Sequence, residues 1–116
     1  MSLKGHQFAR EIRDIDLKIT RNVHMELKDG KQKEFIKLFE SEILPVLRQQ
    51  KGFQDEITLV ERNRAVAISF WDERKNAEMY HTTAFPKLVE KLNSVIQGAP
   101  RVETYEVATS TLAVAA

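Results

Sequence analysis

Apolar residues recur along this sequence with two alternating periods, and the order of those periods constrains the fold more than any other feature. Every second residue of 18–27 is apolar apart from Arg21, which predicts a strand with two unlike faces. From residue 29 to 52 the apolar spacing is helical instead. The later patterns, in chain order, are strands at 53–62 and 65–71, a helix at 72–98 and a strand at 101–112.

This order, β-α-β-β-α-β, is that of the ferredoxin-like fold. We therefore expect an α+β domain with a four-stranded antiparallel sheet and both helices on one of its faces. The strand at 65–71 is apolar on both sides apart from Ser69, which predicts a central position in the sheet. We place this domain at 18–116. The N-terminal extension at 1–17 is either a short helix, a segment docked on the surface, or a mobile tail.

The first helical pattern has a clear beginning and end but an interrupted middle. Asp29 suits the N-cap position, and Gln32 follows at the spacing of a capping box. Pro45 lies inside the pattern and removes one backbone hydrogen bond, so we expect a kink near residues 41–42. Gly52 is expected to end the helix.

The second helical pattern is also interrupted. Asp72 suits its N-cap position. The apolar phase falters at residues 81–83, and Pro86 then fits the first turn of a restarted helix. We therefore expect one helix broken into two pieces, closed by the Gly-Ala-Pro sequence at 98–100.

Composition excludes several classes of function. The formal net charge of +1 gives no electrostatic reason to bind nucleic acid. No apolar run approaches the roughly 20 residues that span a bilayer, so we expect no membrane partner and a cytoplasmic location. The chain has no cysteine, and its histidines (His6, His24 and His81) lack short ligand spacing, so no metal site is predicted. The isolated glycines form no phosphate-binding loop.

The sheet face away from the helices has a mixed character that predicts a homodimer. Polar residues on that face are interrupted by apolar ones, including Val60, Val66 and Phe70 or their neighbours of opposite phase. The last strand pattern also continues into an apolar, uncharged segment at 110–115. A second copy packing sheet against sheet would cover both features. A frayed tail is the alternative for the C-terminal segment.

Several segments together carry a family resemblance. They are Ile-Thr-Arg-Asn-Val-His-Met in the first strand, Ile-Leu-Pro-Val-Leu-Arg and Lys-Gly-Phe at the first helix end, Ile-Ser-Phe-Trp-Asp-Glu at 68–73, Tyr-His-Thr-Thr-Ala-Phe-Pro at 80–86, and Val-Glu-Thr-Tyr-Glu-Val at the close. In this order and spacing, over about residues 18–111, the chain resembles the antibiotic-biosynthesis monooxygenase (ABM) family of dimeric α/β barrels. Members of that family use a cavity between the helices and the sheet.

The resemblance implies a class of function rather than one reaction. Some members oxidise polycyclic aromatic substrates with O2 and without metal or flavin, others degrade haem, and many have no assigned activity. The haem-degrading branch uses an Asn on the first strand, a Trp in the second helix and a later His. Asn22 matches the Asn, but Tyr80 and Glu90 stand at the other two positions. Haem degradation is therefore disfavoured, and no cofactor is expected.

Four polar residues are the candidates for catalysis: Asn22, His24, Tyr80 and His81. The Asn22 amide suits an oxyanion donor, and either histidine suits a general base near neutral pH. Adjacent helical residues point about 100° apart, so we expect at most one of Tyr80 and His81 to face the cavity, and we favour Tyr80. Surface, interface or core positions are the alternative for all four.

Four aromatic residues are the candidates for substrate binding: Phe35, Phe39, Trp71 and Phe85. Their rings suit the walls of a pocket for a flat molecule. The phenylalanines also have the spacing of an ordinary helical core face, and Trp71 could equally pack in the core or at a dimer interface.

The leading hypothesis is a cofactor-independent monooxygenase-like enzyme that acts on a small aromatic or quinone-type molecule. In that mechanism the protein deprotonates an activated phenol, and the resulting carbanion reacts directly with O2. The base would be His24 or His81, with Asn22 and Tyr80 as oxyanion donors. A non-catalytic ligand-binding or stress-response dimer of the same barrel is the rival hypothesis, and haem binding is a third. The sequence does not name the substrate.

Overall fold

The computed structural model describes residues 17–112, and the N-terminal extension expected at 1–17 lies almost wholly outside them. In chain order the elements are β1 (Ile19–Leu27), α1 (Gln32–Leu38), a π-helical segment (Phe39–Ile43), α2 (Leu44–Arg48), β2 (Phe53–Glu61), β3 (Arg64–Trp71), α3 (Arg74–Thr83), α4 (Phe85–Lys91) and β4 (Ile96–Glu106).

The four strands form one antiparallel sheet in the order β2-β3-β1-β4. This is the ferredoxin-like topology that the sequence predicts, and β3 is central as expected. The other central strand is β1, which pairs with β3 through Asn22 and Ile68 and with β4 through Asn22 and Glu103. Because β1 touches both neighbours, its side chains occupy the middle of both sheet faces.

The helices cover one face of the sheet, called the inner face here. The side chains of β1 that point to this face are buried, as are those of β3. Together with helical residues they form the core, whose largest fully buried members are Phe35, Trp71 and Val95. Burial of such apolar side chains stabilises the fold by about 25 cal/mol per Å2. One inner-face residue of β1 is charged: Arg21 is only 2 % exposed.

The interruption expected in the first helix is a wide π-helical turn. The Leu44 amide donates to the carbonyl of Phe39, five residues back, and Pro45 begins the next α-helical turn. A proline ring clashes with the carbonyl four residues before it in a regular α-helix, so widening the turn at 39–43 relieves the contact. The prediction of a distortion near residues 41–42 is confirmed in place, and its form is a π-helical turn.

The second helix breaks where its apolar phase falters. Helix α3 ends at Thr83, and α4 begins at Phe85 with Pro86 in its first turn, as predicted. The hydroxyls of Thr82 and Thr83 both donate to the carbonyl of Met79, at 3.2 and 2.7 Å. These side-chain bonds satisfy a carbonyl near the end of α3.

The predicted aspartate caps are wrong. Neither helix has a side-chain hydrogen bond at its N-cap, which is Lys31 for α1 and Glu73 for α3. Asp29 instead accepts a hydrogen bond from Asn63 in the β2–β3 turn, at 2.7 Å. Asp72 accepts one from the Asn76 side chain, at 2.9 Å. Both carboxylates therefore bind side-chain amides rather than helix amides.

The last strand begins and ends earlier than the sequence pattern indicates. It runs from Ile96 to Glu106, so residues 98–100 lie inside it rather than closing a helix, and residues 107–112 follow it outside the strand. Gly98 has a φ of 76°, and the pairing register shifts nearby, between His24 and Glu26. Pro100 is tolerated because β4 is an edge strand. Residues 113–116 lie outside the described residues.

The other sheet face, called the outer face here, carries an apolar patch. Its members, the outer apolar patch below, are Ile57, Leu59, Val66, Ile68, Phe70 and Tyr105. In β2 this reverses the usual pattern, because Ile57 and Leu59 are about half exposed while Glu56 lies on the helical side. Among the described residues, none of the helices is both long and apolar enough to cross a membrane.

Candidate functional site

Polar side chains cross the inner face of the sheet in a single row. Glu56 on β2 is paired with Ser69 on β3, Ser69 with Arg21 on β1, and Arg21 with Thr104 on β4. Residues in register across neighbouring strands point to the same side, so these four side chains all lie toward the helices. The row interrupts a largely apolar face beneath the break between α3 and α4.

Arg21 is held at the centre of this row by neutral groups. Its Nη2 donates a hydrogen bond to Nδ1 of His81 across 2.8 Å. Its guanidinium carbon lies 5.0 Å from the ring centre of Tyr80 and 4.4 Å from that of Phe85. Such contacts with aromatic faces favour a cation. Because an arginine only donates, the bonded Nδ1 of His81 is an acceptor, and the ring hydrogen is on Nε2.

Among the described residues, no carboxylate neutralises the charge of Arg21. Within residues 17–112 no ion pair to its guanidinium is found. Burial lowers the pKa of Arg21 from its usual value, and the nearby Tyr80 opposes that shift. A guanidinium nevertheless stays protonated in proteins. A buried positive charge of this kind is costly unless something anionic is bound to it.

Tyr80 lies over the row with its ring buried among other rings. It packs 5.2 Å from Trp71 and 6.0 Å from Phe85, centre to centre. Burial raises the pKa of Tyr80 to about 12, with Arg21 opposing and Glu56 adding to the shift. The phenol is therefore neutral near pH 7 and can donate a hydrogen bond, but it is a poor general base.

Glu56 is the carboxylate of the row. Desolvation raises the pKa of Glu56 above its usual value; a hydrogen bond from Thr58 opposes the shift, and Asp55 adds to it. The Thr58 hydroxyl donates to Glu56 Oε2 at 2.6 Å. Two strand spacings, about 10 Å, separate the backbones of Glu56 and Arg21. A carboxylate with a raised pKa beside an apolar space is suited to accept a proton.

A narrow cavity, called the inner cavity here, lies between these groups and the helices. Its free space is about 30 Å3, room for one or two water molecules. Its wall is mostly apolar, and three groups of the polar row, Arg21, Glu56 and Ser69, reach it together with Tyr80. Phe39 and Ile43 of the π-helical segment also line it. The remaining lining residues are Val23, Met25, Leu47, Ala67, Phe85, Leu88, Val89, Leu92 and Pro100.

A second cleft, which is open, lies on the other side of Arg21. It is also on the helix-covered side of the sheet, and we call it the outer cleft to distinguish it from the inner cavity. It holds about 220 Å3 between α3 and the β1–β4 pair. It is lined by Arg21, Arg74, Ala77, Glu78, His81, Val102 and Thr104. Of the residues that line these two spaces, Arg21 alone lines both, so it forms part of the wall between them.

Most of the predicted site residues on the helices line a space, but they are divided between two spaces. Tyr80, Phe39 and Phe85 line the inner cavity, and His81 lines the outer cleft. The His81 ring stacks on Phe85 with centres 5.5 Å apart. Phe35 and Trp71 are wholly buried and line neither space, which corrects the expectation that their rings form its walls.

Trp71 packs against residues of the inner cavity without lining the cavity itself. Its ring contacts Tyr80 on one side and meets Phe53 edge-on at 5.7 Å on the other. The indole Nε1 donates to the Ser69 hydroxyl at 2.8 Å. Trp71 therefore fixes Tyr80 and Ser69 in place instead of touching a ligand.

Asn22 and His24 lie on the outer face, away from Tyr80 and His81. The Asn22 amide donates to Thr20 Oγ1 at 3.1 Å and to the Glu103 carbonyl at 3.4 Å. His24 Nε2 lies 3.1 Å from Glu103 Oε1, which also places it on β4's outer side. The sheet separates both residues from the inner cavity, which corrects the expectation of one shared catalytic set. A role for either on the outer face stays a prediction.

Two functional candidates were missed at the level of sequence. Arg21 is the one break in the apolar side of the first strand, and that break was its signal. Glu56 had a weaker signal, since only the reversed exposure of β2 shows that its polar side is the inner one. Among the residues described, no group of acidic and histidine side chains is arranged to hold a metal ion.

Comparison with known proteins establishes the fold. Similar structures include a monooxygenase from the ActVA-Orf6 gene of Streptomyces coelicolor, in complex with nanaomycin D (TM-score 0.70, 14% identity, 84% of this chain and 93% of that chain). Another is SnoaB of Streptomyces nogalater, a cofactor-independent oxygenase (0.68, 16%, 82% and 97%). A third is a candidate antibiotic biosynthesis monooxygenase of Bordetella bronchiseptica (0.67, 11%, 80% and 99%).

The resemblance stated from the sequence is thus confirmed at the level of architecture: the chain has the α+β fold of these monooxygenases. Neither a protein-family model nor a curated protein sequence matches the chain at a significant level. Identities this low establish a shared fold and not a shared reaction.

Proposed function

We propose that this protein is an ABM-type, cofactor-independent monooxygenase for a small aromatic or quinone-type molecule, with its reaction centre at the inner cavity. The observation that carries the proposal is the buried guanidinium of Arg21, which has no carboxylate partner within residues 17–112 and belongs to the lining of an apolar space. An aromatic ligand that ionises in the site would supply the missing negative charge. The similarity to oxygenases that need no cofactor gives this chemistry further support.

The proposed reaction begins with removal of a proton from the activated aromatic. Glu56 is the proposed base, because its raised pKa brings it closer to the working pH than an ordinary carboxyl group. Arg21 stabilises the oxyanion that forms, and the neutral Tyr80 donates a hydrogen bond to it. His81 orients the guanidinium by accepting a hydrogen bond from Nη2 of Arg21.

The oxidation itself needs only the ionised substrate and O2. The substrate carbanion transfers electrons to O2 and forms a C–O bond, which gives a peroxide at the reacting carbon. Loss of water from that peroxide leaves a carbonyl group. For an anthrone, one oxygen atom of O2 becomes the new carbonyl and the other leaves as water with the two hydrogens of the oxidised CH2 group. The substrate supplies all the electrons.

Access for a ring-sized ligand requires movement of the cavity wall. The free space of about 30 Å3 is smaller than one aromatic ring needs. Phe85 and Val89 are only half-buried and follow the helix break at Ala84, so α4 is the proposed moving wall, although its movement would disturb the buried Leu88.

Oxygen uptake with anthrone tests the proposal. We expect one O2 consumed per anthraquinone formed, without added metal or flavin. Glu56→Gln should lower the rate at least about a hundredfold, the usual effect of losing a general base. Arg62→Gln, at an exposed turn, is the matched control and should be as active as wild type. A rate equal to spontaneous oxidation, or a fully active Glu56→Gln variant, would contradict the proposal.

The rival function is ligand binding without catalysis in the same fold. The narrowness of the inner cavity is the observation that favours it. Anthraquinone binding without any oxygen uptake would support this rival. Haem degradation stays disfavoured, because Glu90 is an exposed carboxylate on α4 and offers no imidazole ligand.

We further propose that the protein forms a homodimer through the outer face. The outer apolar patch leaves Ile57, Leu59 and Tyr105 about half exposed on a flat sheet surface. Burying that surface against a second copy would be favourable and would pair two sheets face to face. Glu103 contacts His24 and forms an ion pair with Arg101 beside the patch, and polar groups are common at the rim of interfaces.

A further inference from the structure

The buried side chain of Arg21 lines two separate spaces, and the proposed function accounts for only one of them. Arg21 lines the inner cavity, where the proposed function uses it, and also the outer cleft, where that function does not. The outer cleft is the roomier space, with about 220 Å3 against about 30 Å3. A ligand confined to the inner cavity would leave this cleft unused.

The outer cleft has the character of an anion site. Arg74 lines it as well as Arg21, and Thr104 and His81 are further polar residues of its wall. The Nη2 of Arg74 lies 3.7 Å from Glu106 Oε2, too far for a good hydrogen bond. Glu106 is largely exposed, so water screens that pair and leaves the donors of Arg74 open to a stronger acceptor.

The shape of a guanidinium specifies which anion fits. Its donors lie in one plane and match the two oxygens of a carboxylate, which makes charge-assisted hydrogen bonds of more than ordinary strength. The lining carries a single acidic residue, Glu78, which would oppose an anion of higher charge such as a phosphate dianion. A singly charged carboxylate is therefore the better match.

We propose that the natural ligand is an aromatic carboxylic acid, whose carboxylate binds in the outer cleft between Arg21 and Arg74 while its ring points toward the inner cavity. The inference rests on the proposed function for the aromatic part of the ligand. It adds a specificity-determining role for Arg74. Arg21 then contacts both the carboxylate and the reacting part of the same molecule.

Calorimetric titration with 1-naphthoate and with its uncharged analogue 1-naphthamide tests the inference. The full-length protein should bind naphthoate about ten- to a hundredfold more tightly than naphthamide, as expected for hydrogen bonds to a charged group. Arg74→Gln should lower naphthoate affinity several-fold and leave naphthamide affinity unchanged. Arg62→Gln removes a positive charge far from the cleft and is the control for a general charge effect.

Equal affinity for the acid and the amide would overturn the inference. So would a loss in Arg62→Gln as large as that in Arg74→Gln, or no binding of either compound. Oxygen uptake with anthrone is measured on the same preparations. A preference for naphthoate without any uptake would retain the carboxylate site and refute the proposed oxidation. Circular dichroism of each variant verifies that the fold is intact.

Discussion

The Nη2 of Arg21 and the Nδ1 of His81 are joined by a hydrogen bond of 2.8 Å that links the centre of the sheet to the end of α3. One partner is buried and the other is exposed. The bond therefore connects the interior charge to solvent through a neutral ring. It also places the guanidinium under the helix break, where both the inner cavity and the outer cleft reach it.

The buried charge of Arg21 should serve function and lower the free energy of unfolding. Arg21→Met fills most of the same space without a charge, so the free energy of unfolding should stay within about 1 kcal/mol of wild type or rise. Arg21→Ala, the matched control, leaves a void and should lose about 2 kcal/mol or more. Urea unfolding followed by circular dichroism measures both. A large loss in Arg21→Met would show that the charge itself supports the fold.

Glu56→Gln should stabilise the protein near neutral pH. Burial raises the pKa of Glu56 in the folded chain, so the folded state binds more protons than the unfolded state between the ordinary and the raised pKa. The contribution of Glu56 to the free energy of unfolding therefore falls as the pH rises from the ordinary pKa to the raised one, and it stays low at higher pH. Removing the charge should recover on the order of 0.5–1 kcal/mol at pH 7.

The pH dependence provides the sharper check on Glu56. Below about pH 4 the carboxyl is protonated in both states, so the stability gain of Glu56→Gln should vanish there. Glu61→Gln, on the exposed side of the same strand, should show no such dependence. Thermal melts at pH 3, 5 and 7 decide the matter. A gain that is equal at all three pH values would refute the assigned cause.

Leu59→Glu should dissociate the proposed homodimer. Leu59 is 51% exposed in the outer apolar patch, and a carboxylate there would be buried against its own counterpart. Met79→Glu is the matched control, because Met79 is 63% exposed but lies on α3. Sedimentation at micromolar concentration should give a dimer for wild type and Met79→Glu and a 13.4 kDa monomer for Leu59→Glu. A monomeric wild type would remove the interface.

Gly52→Ala should destabilise the fold more than Gly30→Ala does. Both glycines have positive φ, 83° and 73°, so both variants pay the cost of that conformation, about 1–2 kcal/mol. Only at Gly52 would the new methyl group also meet Asn76 and Asp72, which are hydrogen bonded to each other. We expect a further loss of about 1–3 kcal/mol there. Equal melting temperatures for the two variants would contradict this packing.

The sequence predicts the fold well because periodicity reports which face of each element is buried. The break after Thr83 was visible as a fault in that periodicity, whereas the distortion before Pro45 was indicated by the proline itself. The start of β4 was not, because the Gly-Ala-Pro sequence at 98–100 suggests a loop. Its place inside a strand depends on a long-range partner, the end of β1 at Leu27.

The candidate site was less predictable, for a physical reason. Asn22 and His24 were grouped with Tyr80 because one pocket was assumed, whereas alternate residues of β1 point to opposite faces of the sheet. Arg21, directly before Asn22 and on the opposite side of the strand, is the residue that reaches the cavity. Its importance follows from burial without a carboxylate partner in the part of the chain that the structure describes, and the neighbours of Arg21 are defined only once four strands are in register.

The wide turn at 39–43 has a consequence for how the first helix meets the sheet. Its buried residues, Phe35, Phe39, Ile43 and Leu47, are spaced by four, and in a regular α-helix each such step rotates a side chain by about 40°. Over three steps the accumulated angular drift, about 120°, would carry Leu47 off the core. A turn with more residues per revolution cancels much of that drift. The added width lets a strict four-residue repeat keep all four side chains on one line, with a proline between the last two.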